Sequence, residues 1–215
     1  MDSMADPLVL DLPFTGSWRV ENSPARRVPS HGSDLFGTTY AIDFVPVDER
    51  GRSAPLSLRA LLATEPPERF IGFGTPILAP LTGEVVAVHD GEPDHDAHRS
   101  LRARAAYAMT QARRLRDGGV PAIAGNHVVI RSGAAYVLLA HLRRGSVAVE
   151  VDQTLRSGDH VGECGNSGNS TEPHVHVQAT DSVDWTTCRG LPIAFRRPEA
   201  DPWLPAEREI VAAGT

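Results

Sequence analysis

The sequence predicts a single, mainly β domain built on an antiparallel β-sheet, with one helical insertion. Three observations lead to this prediction. Short segments of alternating apolar and polar residues recur along the chain and are separated by turns that contain Gly or Pro. The 19 glycines and 17 prolines are scattered over 215 residues, which favours many short strands over a helical bundle. One segment, residues 94–119, has a helical pattern instead.

The two ends of the chain are predicted to be irregular. Pro7, Pro13, Pro24 and Pro29 interrupt the first 30 residues. The tail from Pro198 is rich in Pro and Glu, and we expect it to wrap the surface of the domain.

The segment from Thr39 to Val45 alternates as a strand does. Ile42 and Phe44 share one face, and Asp43 lies on the other. An acidic residue in the middle of a core-forming strand is costly unless it is paired or binds a metal ion. Asp43 is therefore a candidate functional residue.

The middle of the chain contains further predicted elements. Residues 74–92 give two short strands joined by a turn at Thr82-Gly83. A short helix is possible over residues 56–62. Within the insertion, apolar residues recur at helical spacings of 4, 3, 4 and 3, namely Leu101, Ala105, Ala108, Ala112 and Leu115. Strands are then predicted over residues 126–131, 135–141, 146–151 and 159–163.

The stretch HVHVQ, residues 174–178, follows a run of Gly, Asn, Ser, Thr and Pro that ends at Pro173. In a strand, His174 and His176 point to one face and the two valines to the other. The two imidazoles would then converge on one metal ion or one reacting group, although a strand with an exposed polar face fits the same pattern.

Two histidines and one carboxylate form a catalytic zinc set that leaves the fourth position for water. Zn²⁺ lowers the pKa of such a water to about 7, and further histidines nearby could transfer protons. His31, in a tight approach to the strand of Asp43, and His141, at the end of the apolar run YVLLAH, are candidates beside His174 and His176. His89, His95 and His98, among acidic residues, and His127 and His160 are expected to have no catalytic role.

Composition excludes several functional classes. The net charge of −6 argues against a nucleic-acid-binding protein. All 21 basic residues are arginine, which excludes chemistry that needs a lysine amine. Two cysteines, Cys164 and Cys188, cannot form a zinc knuckle, and we expect free thiols. No run approaches 18 apolar residues and the N-terminus does not resemble a signal peptide, so we expect a cytoplasmic protein without a membrane span.

Several motifs occur together in one order along the chain: Ser-His at 30–31, YAIDF at 40–44, GTPILAPLTGEVVAV at 74–88, GNHVVI at 125–130, LAHL at 139–142 and GECGNSGNSTEPHVHVQ at 162–178. Together they resemble the lysostaphin/LytM-type zinc endopeptidases, which cut peptide cross-bridges of bacterial cell walls. The similarity runs from about Val28 to Phe195.

This resemblance implies one LytM-like domain spanning residues 1–215, with a core over about 28–195. It implies that His31, Asp43 and His176 bind Zn²⁺ and that His141 and His174 are the catalytic partners. It also implies a peptide or peptidoglycan substrate. A cytoplasmic address is at odds with a cell-wall substrate, so export by another route or a different peptide substrate would be needed. Peptide specificity and oligomeric state are not predicted.

The sequence departs from the family pattern at three places. Many members have three residues between the first His and the Asp, whereas eleven separate His31 from Asp43. Asp34 is nearer but one position short of that spacing, and it remains an alternative carboxylate. His-Val-His replaces the commoner His-Leu-His, and Gln178 stands where many members have Glu.

Other interpretations explain less of the sequence. A cupin would need another histidine after His176, and there is none. A biotinyl or lipoyl carrier would need a lysine. A cysteine nucleophile at Cys164 is a weak alternative. The strongest rival is a non-catalytic LytM-like domain that binds a metal or a partner and regulates another hydrolase.

Overall fold

The fold is known from a computed structural model that describes residues 6–55, 63–98, 113, 114, 116 and 119–214. Within these residues the strands are, in chain order, β1 (Leu8–Leu10), β2 (Gly16–Glu21), β3 (Ile42–Pro46), β4 (Pro76–Leu78), β5 (Gly83–His89), β6 (Asn126–Ser132), β7 (Ala135–Leu142), β8 (Thr154–Leu155), β9 (His160–Glu163), β10 (Val175–Thr180), β11 (Gly190–Leu191), β12 (Ile193–Arg197), β13 (Ala200–Trp203) and β14 (Ile210–Ala213). Helical structure in the same residues includes the 3-10 segments Leu35–Tyr40 and Pro67–Arg69 and a helical turn, Pro121–Ala124.

A 9-stranded sheet dominates the domain. Its strand order is β14-β2-β3-β10-β7-β6-β5-β8, and β11 pairs with β10 beside this path. All its pairings are antiparallel. A 3-stranded sheet, β1-β12-β13, and the pair β4-β9 accompany it, and β1 and β12 pair in parallel. The predicted fold class, a mainly antiparallel β domain, is confirmed.

The main core lies between the inner face of the large sheet and the 3-stranded sheet. Alternation on β3 and β10 directs Ile42, Phe44, Val175 and Val177 into this core, where they are fully buried. Phe44 contacts Phe195 of β12 edge to face, with ring centroids 5.2 Å apart. The opposite face of β3 and β10 therefore carries Asp43 and His176.

The prediction of irregular terminal segments is wrong. The N-terminal segment contributes β1 and β2, and the tail contributes β13 and β14, which is an edge strand of the large sheet. Proline does not prevent these strands, because β2 lies between Pro13 and Pro24 and β13 contains Pro202. The Trp18 ring of β2 stacks on Phe14 at 4.3 Å between centroids, so the N-terminal segment also fills the core.

The strand predicted over residues 146–151 is also absent. Its backbone N–H groups bond to other partners: Val147 donates to the Asp90 carboxylate at 3.1 Å, and Ala148 donates to the Val161 carbonyl at 2.9 Å. Val149 is nevertheless buried. The alternating pattern therefore predicted its burial correctly, although these residues do not form a strand.

The two helix predictions fall largely outside the described residues. Residues 56–62 and 99–112 are not described; Arg113, Arg114 and Arg116 are helical, and residues 94–98 form only isolated bridges, as at Asp94↔Ser167. Helix over most of residues 94–119 stays a prediction. Among the residues that are described, no helix has both the length and the apolar character that crossing a bilayer would require.

Candidate metal and catalytic centre

A row of three residues crosses the outer face of the large sheet. His176 on β10 lies directly opposite Asp43 on β3 and directly opposite Ala140 on β7. His176 Nδ1 is 2.9 Å from Asp43 Oδ1, and both side chains are more than nine-tenths buried. Strand pairing thus places an imidazole and a carboxylate side by side, although 133 positions separate them in the chain.

His31 joins this pair from the loop that precedes the Leu35–Tyr40 segment. Its Nε2 lies 3.1 Å from Asp43 Oδ2, and its ring centroid lies 4.9 Å from that of His176. One ligand atom each from His31, Asp43 and His176 lies within 4.8 Å of the others. The structure therefore brings together the three residues that the sequence predicted as metal ligands.

Hydrogen bonds orient both imidazoles toward Asp43. His31 Nδ1 donates to Ser30 Oγ at 2.9 Å, which in turn donates to the Thr38 carbonyl. His176 Nε2 donates to Gln178 Oε1 at 2.9 Å. The nitrogens left to bind a metal ion are then Nε2 in His31 and Nδ1 in His176, the two atoms that also form hydrogen bonds with the Asp43 carboxylate. Two such nitrogens and one carboxylate oxygen fit a zinc ion, whose histidine ligands are held by second hydrogen bonds in this way.

Asp34, the alternative carboxylate, is exposed and precedes the 3-10 segment, where its carbonyl accepts a hydrogen bond from Gly37 N–H. It is not part of the cluster around His176. The geometry therefore favours Asp43 over Asp34.

His141 occupies an unusual backbone conformation at the end of β7. Leu139 and Leu142 point into the main core, whereas Ala140 and His141 both face the opposite side. A left-handed φ of 64° at His141 breaks the alternation and makes this possible. Such a conformation is strained for a residue other than Gly and often marks a functional site.

His141 and His174 lie next to each other beside the cluster, with ring centroids 4.7 Å apart. His141 Nδ1 donates to the Ser167 carbonyl at 2.9 Å, and His174 Nδ1 donates to the Glu172 carbonyl at 2.7 Å. In each ring, Nε2 is thus the nitrogen that remains available to accept a proton. His174 Nε2 lies 3.8 Å from Asp43 Oδ1, so it points into the cluster.

Burial and neighbouring groups shift the pKa values of Asp43, His141 and His176. Burial acts to raise the pKa of the Asp43 carboxyl, but the nearby His31 and His174 and the hydrogen bonds from His176 and His31 lower it well below its usual value. Burial lowers the pKa of His141 well below its usual value, and His174 and His176 lower it further. Burial also opposes protonation of His176, but the hydrogen bond to Asp43 and its charge outweigh this effect and raise the pKa. Asp43 is therefore ionised and His141 neutral near pH 7.

The loop that supplies the partners of His141 and His174 is packed tightly against the Pro121–Ala124 turn. Gly125 and Gly168 have left-handed φ values of 65° and 67°, and a Cβ on Gly168 would collide with the Gly125 backbone. Asp94 holds the same loop from outside, because its carboxylate accepts the Asn166 N–H at 2.7 Å. The acidic residues near His95 therefore include one with a clear structural role.

The cluster lies in a cleft of about 320 Å³ on the outer face of the large sheet. Its polar lining consists of the five predicted residues His31, Asp43, His141, His174 and His176, together with Asn22, Ser33, Thr38, Asn169, Thr171 and Gln178. Its apolar lining is Leu35, Phe36, Val120, Ile123, Ala124, Leu138, Ala140 and Trp185. All five residues predicted from the sequence thus line one cavity.

Asn22 and Gln178 also contribute to this centre, although the sequence did not predict either as a site residue. Asn22 Nδ2 donates to Asp43 Oδ2 at 2.7 Å, and nothing in its local sequence indicates this contact. Gln178, whose Nε2 also donates to the Phe36 carbonyl, fixes the His176 tautomer. Its position two residues after His176 on the same strand face was a usable signal.

Cys164 does not support a cysteine nucleophile. Its side chain is fully buried, and burial raises the pKa of its thiol, so the reactive thiolate is disfavoured. Cys164 and Cys188 are both free thiols, as predicted.

Several solved structures have a similar chain fold. The catalytic domain of the antimicrobial peptidase lysostaphin from Staphylococcus simulans is 18% identical, with a TM-score of 0.39 over 70% of this chain and 74% of that chain. A catalytic-domain mutant of the prophage-encoded M23 protein EnpA from Enterococcus faecalis is 16% identical, with a TM-score of 0.40 over 87% of this chain and 90% of that one. A zinc-containing peptidase from Vibrio cholerae is 16% identical, with a TM-score of 0.38 over 80% and 35% of the two chains.

The family of this chain is shown by its match to the sequence model of a protein family, and not by these structural similarities. No curated protein matches the chain. The model of peptidase family M23 matches residues 70–186, more than half of the 215-residue chain. The matched segment contains His141, His174 and His176, while β3 and the preceding loop bring Asp43 and His31 to the same site from outside it. This chain therefore belongs to peptidase family M23.

Proposed function

We propose that the protein is a zinc-dependent metalloendopeptidase that hydrolyses peptide bonds in peptidoglycan-type peptides. The observation that carries this proposal is the convergence of His31 Nε2, Asp43 and His176 Nδ1, with two further buried histidines beside them. The substrate class follows from the resemblance of the motifs to LytM-type peptidases.

His31, Asp43 and His176 would hold the metal ion. A zinc ion in such a set supplies a water with a pKa of about 7 and polarises the carbonyl of a bound peptide. Gln178 and Ser30 keep the two ligand imidazoles in the required tautomers. Asn22 donates to one oxygen of Asp43 and so restricts the orientation of the carboxylate.

His141 and His174 carry out the proton transfers in this proposal. Hydrolysis requires a base that takes a proton from the attacking water and an acid that gives one to the leaving amine. The free Nε2 atoms of both rings are available for this role, since both Nδ1 atoms donate to backbone carbonyls. An imidazolium formed there can also donate a hydrogen bond to the developing oxyanion. The low pKa of His141 keeps it in the form that accepts a proton near pH 7.

The experiment combines metal analysis with peptide cleavage. Purified protein would be supplied with zinc and incubated with peptidoglycan cross-link peptides and with Gly-rich model peptides, and products would be identified by mass spectrometry. We expect cleavage at internal peptide bonds that a chelator abolishes and added zinc restores. His176→Ala should lose both zinc and cleavage. A zinc-loaded protein that cleaves no peptide in a broad panel would instead support the non-catalytic, regulatory alternative.

A further inference from the structure

The row of Asp43, His176 and Ala140 across the outer face of the large sheet continues into an apolar surface. Ala140 lies opposite His176, and Leu138 lies opposite Gln178 on the same pair of strands. Residues directly opposite on antiparallel strands have Cβ atoms about 5 Å apart. Ala140 and Leu138 line the cleft and belong to an apolar cluster separate from the main core. A side chain carried by a peptide bound at the metal row can therefore reach this surface.

Two further elements border this surface. Val120 and Ala124, in and next to the helical turn, pack against the same apolar cluster, and Trp185 packs there from the loop before β11. Trp185 is held in place because the Asp184 carboxylate accepts hydrogen bonds from Thr186 N–H at 3.0 Å and Thr187 Oγ1 at 3.0 Å. The indole also contacts His127 edge to face, with ring centroids 5.8 Å apart. The apolar wall is thus preformed.

Outside the metal and catalytic centre, the described residues that line the cleft carry no charged side chain. Among the described residues that line it, the titratable ones are the four histidines and one aspartate of the metal and catalytic centre. A carboxylate or ammonium group on the Ala140–Leu138 surface would lose hydration without gaining a charged partner among the described residues that border this surface. An aliphatic side chain would gain by burial there.

We infer that Leu138, Ala140, Val120, Ala124 and Trp185 form a specificity subsite for an uncharged aliphatic side chain next to the scissile bond. The inference rests on the proposed function, since it takes the row of His176 and Asp43 as the position of the reacting carbonyl. It makes the cleft selective for residues such as leucine or alanine over glycine and over charged residues.

The test uses a probe whose binding is read without turnover. N-acetylated amino acid hydroxamates bind zinc through the hydroxamate group, so the glycine, alanine, leucine, aspartate and arginine derivatives differ only in the side chain. Their dissociation constants for zinc-loaded protein would be measured by calorimetry. We expect the leucine derivative to bind at least about 10-fold more tightly than the glycine derivative, since one methylene group in a hydrophobic pocket is already worth about 10- to 200-fold. The aspartate and arginine derivatives should bind no better than the glycine derivative.

The variant Trp185→Ala should retain zinc and reduce the leucine-over-glycine preference about tenfold. Val183→Ala is the matched control, because Val183 lies on the same loop, is exposed and does not line this cleft. Equal or undetectable binding of all five derivatives, or a preference that Trp185→Ala leaves intact, overturns the inference.

The outcomes separate this inference from the proposed function. Cleavage of Gly-rich peptides with no side-chain preference would keep the peptidase proposal and reject the subsite. A leucine preference in hydroxamate binding that Trp185→Ala reduces, without cleavage of any peptide, would keep an aliphatic side-chain pocket beside the metal ligands and reject the peptidase proposal.

Discussion

His176 and Asp43 face each other across two neighbouring antiparallel strands, with His176 Nδ1 2.9 Å from Asp43 Oδ1. The contact is local to the sheet, although the residues are far apart in the chain. It places Nδ1 of His176, the nitrogen available to a metal ion, beside an ionised carboxylate in a buried site.

Zinc content should identify the ligand set. His31→Ala, Asp43→Ala and His176→Ala each remove one of three ligand atoms, and we expect the purified variants to contain much less than one zinc per chain. Asp34→Ala is the matched control, because Asp34 is an exposed carboxylate close to His31 in sequence. Elemental analysis measures the stoichiometry. Full zinc in Asp43→Ala with loss in Asp34→Ala would transfer the carboxylate role to Asp34.

Removal of His141 or His174 should impair turnover more than zinc binding. Loss of one acid–base group typically lowers the rate by about 10²–10⁴-fold. His141→Asn is preferable to the alanine variant, because Asn tolerates the left-handed backbone at this position. His174→Ala suits the second site. Peptide cleavage and zinc content would be measured on the same preparations, and wild-type turnover in either variant would contradict its catalytic role.

Gln178→Leu should weaken zinc binding although Gln178 is not a proposed ligand. The substitution removes the acceptor for His176 Nε2–H and so releases the tautomer and orientation of the ring. Loss of such an outer partner typically costs about 10–100-fold in metal affinity. Competition with a chromophoric chelator measures the affinity. Gln178→Glu, which keeps an acceptor oxygen, should bind zinc more tightly than the leucine variant; equal affinities in the two variants would show that Gln178 does not position His176.

His127 should make the free energy of unfolding depend on pH. Burial lowers the pKa of this imidazole, which also donates Nδ1–H to the Gly125 carbonyl at 2.7 Å. Since the unfolded chain has the higher pKa, about 6.5, it takes up the proton first as pH falls. The contribution of His127 is therefore complete above about pH 6.5 and is lost as pH falls from there through the folded pKa.

Urea unfolding at about pH 7.5 and about pH 5 measures this effect. His127→Asn should lose less stability between the two conditions than the wild type does. His160→Asn, at an exposed histidine, is the control and should behave as the wild type. An unchanged pH dependence in His127→Asn would contradict the prediction.

The sequence alone determined which faces of the strands carry the candidate site residues. Alternation has a period of two residues and is set by neighbours in the chain, so Asp43 could be assigned to the face opposite Ile42 and Phe44, and His176 to the face opposite Val175. The prediction that Asp43 is costly in a core strand without a partner matches its contacts with His31 and His176.

Only the tertiary structure decided which of these faces meet. The register that sets His176 opposite both Asp43 and Ala140 depends on pairing between distant segments, which no local pattern encodes. The left-handed turn of His141 into the cleft arises where β7 ends against the Ser167 loop, and the Asn22 contact arises from the pairing of β2 with β3. The terminal strands were not predicted for the same reason. The backbone hydrogen bonds of β14 are made with β2, which lies nearly 200 positions earlier in the chain. Short segments become strands only when such a partner is present.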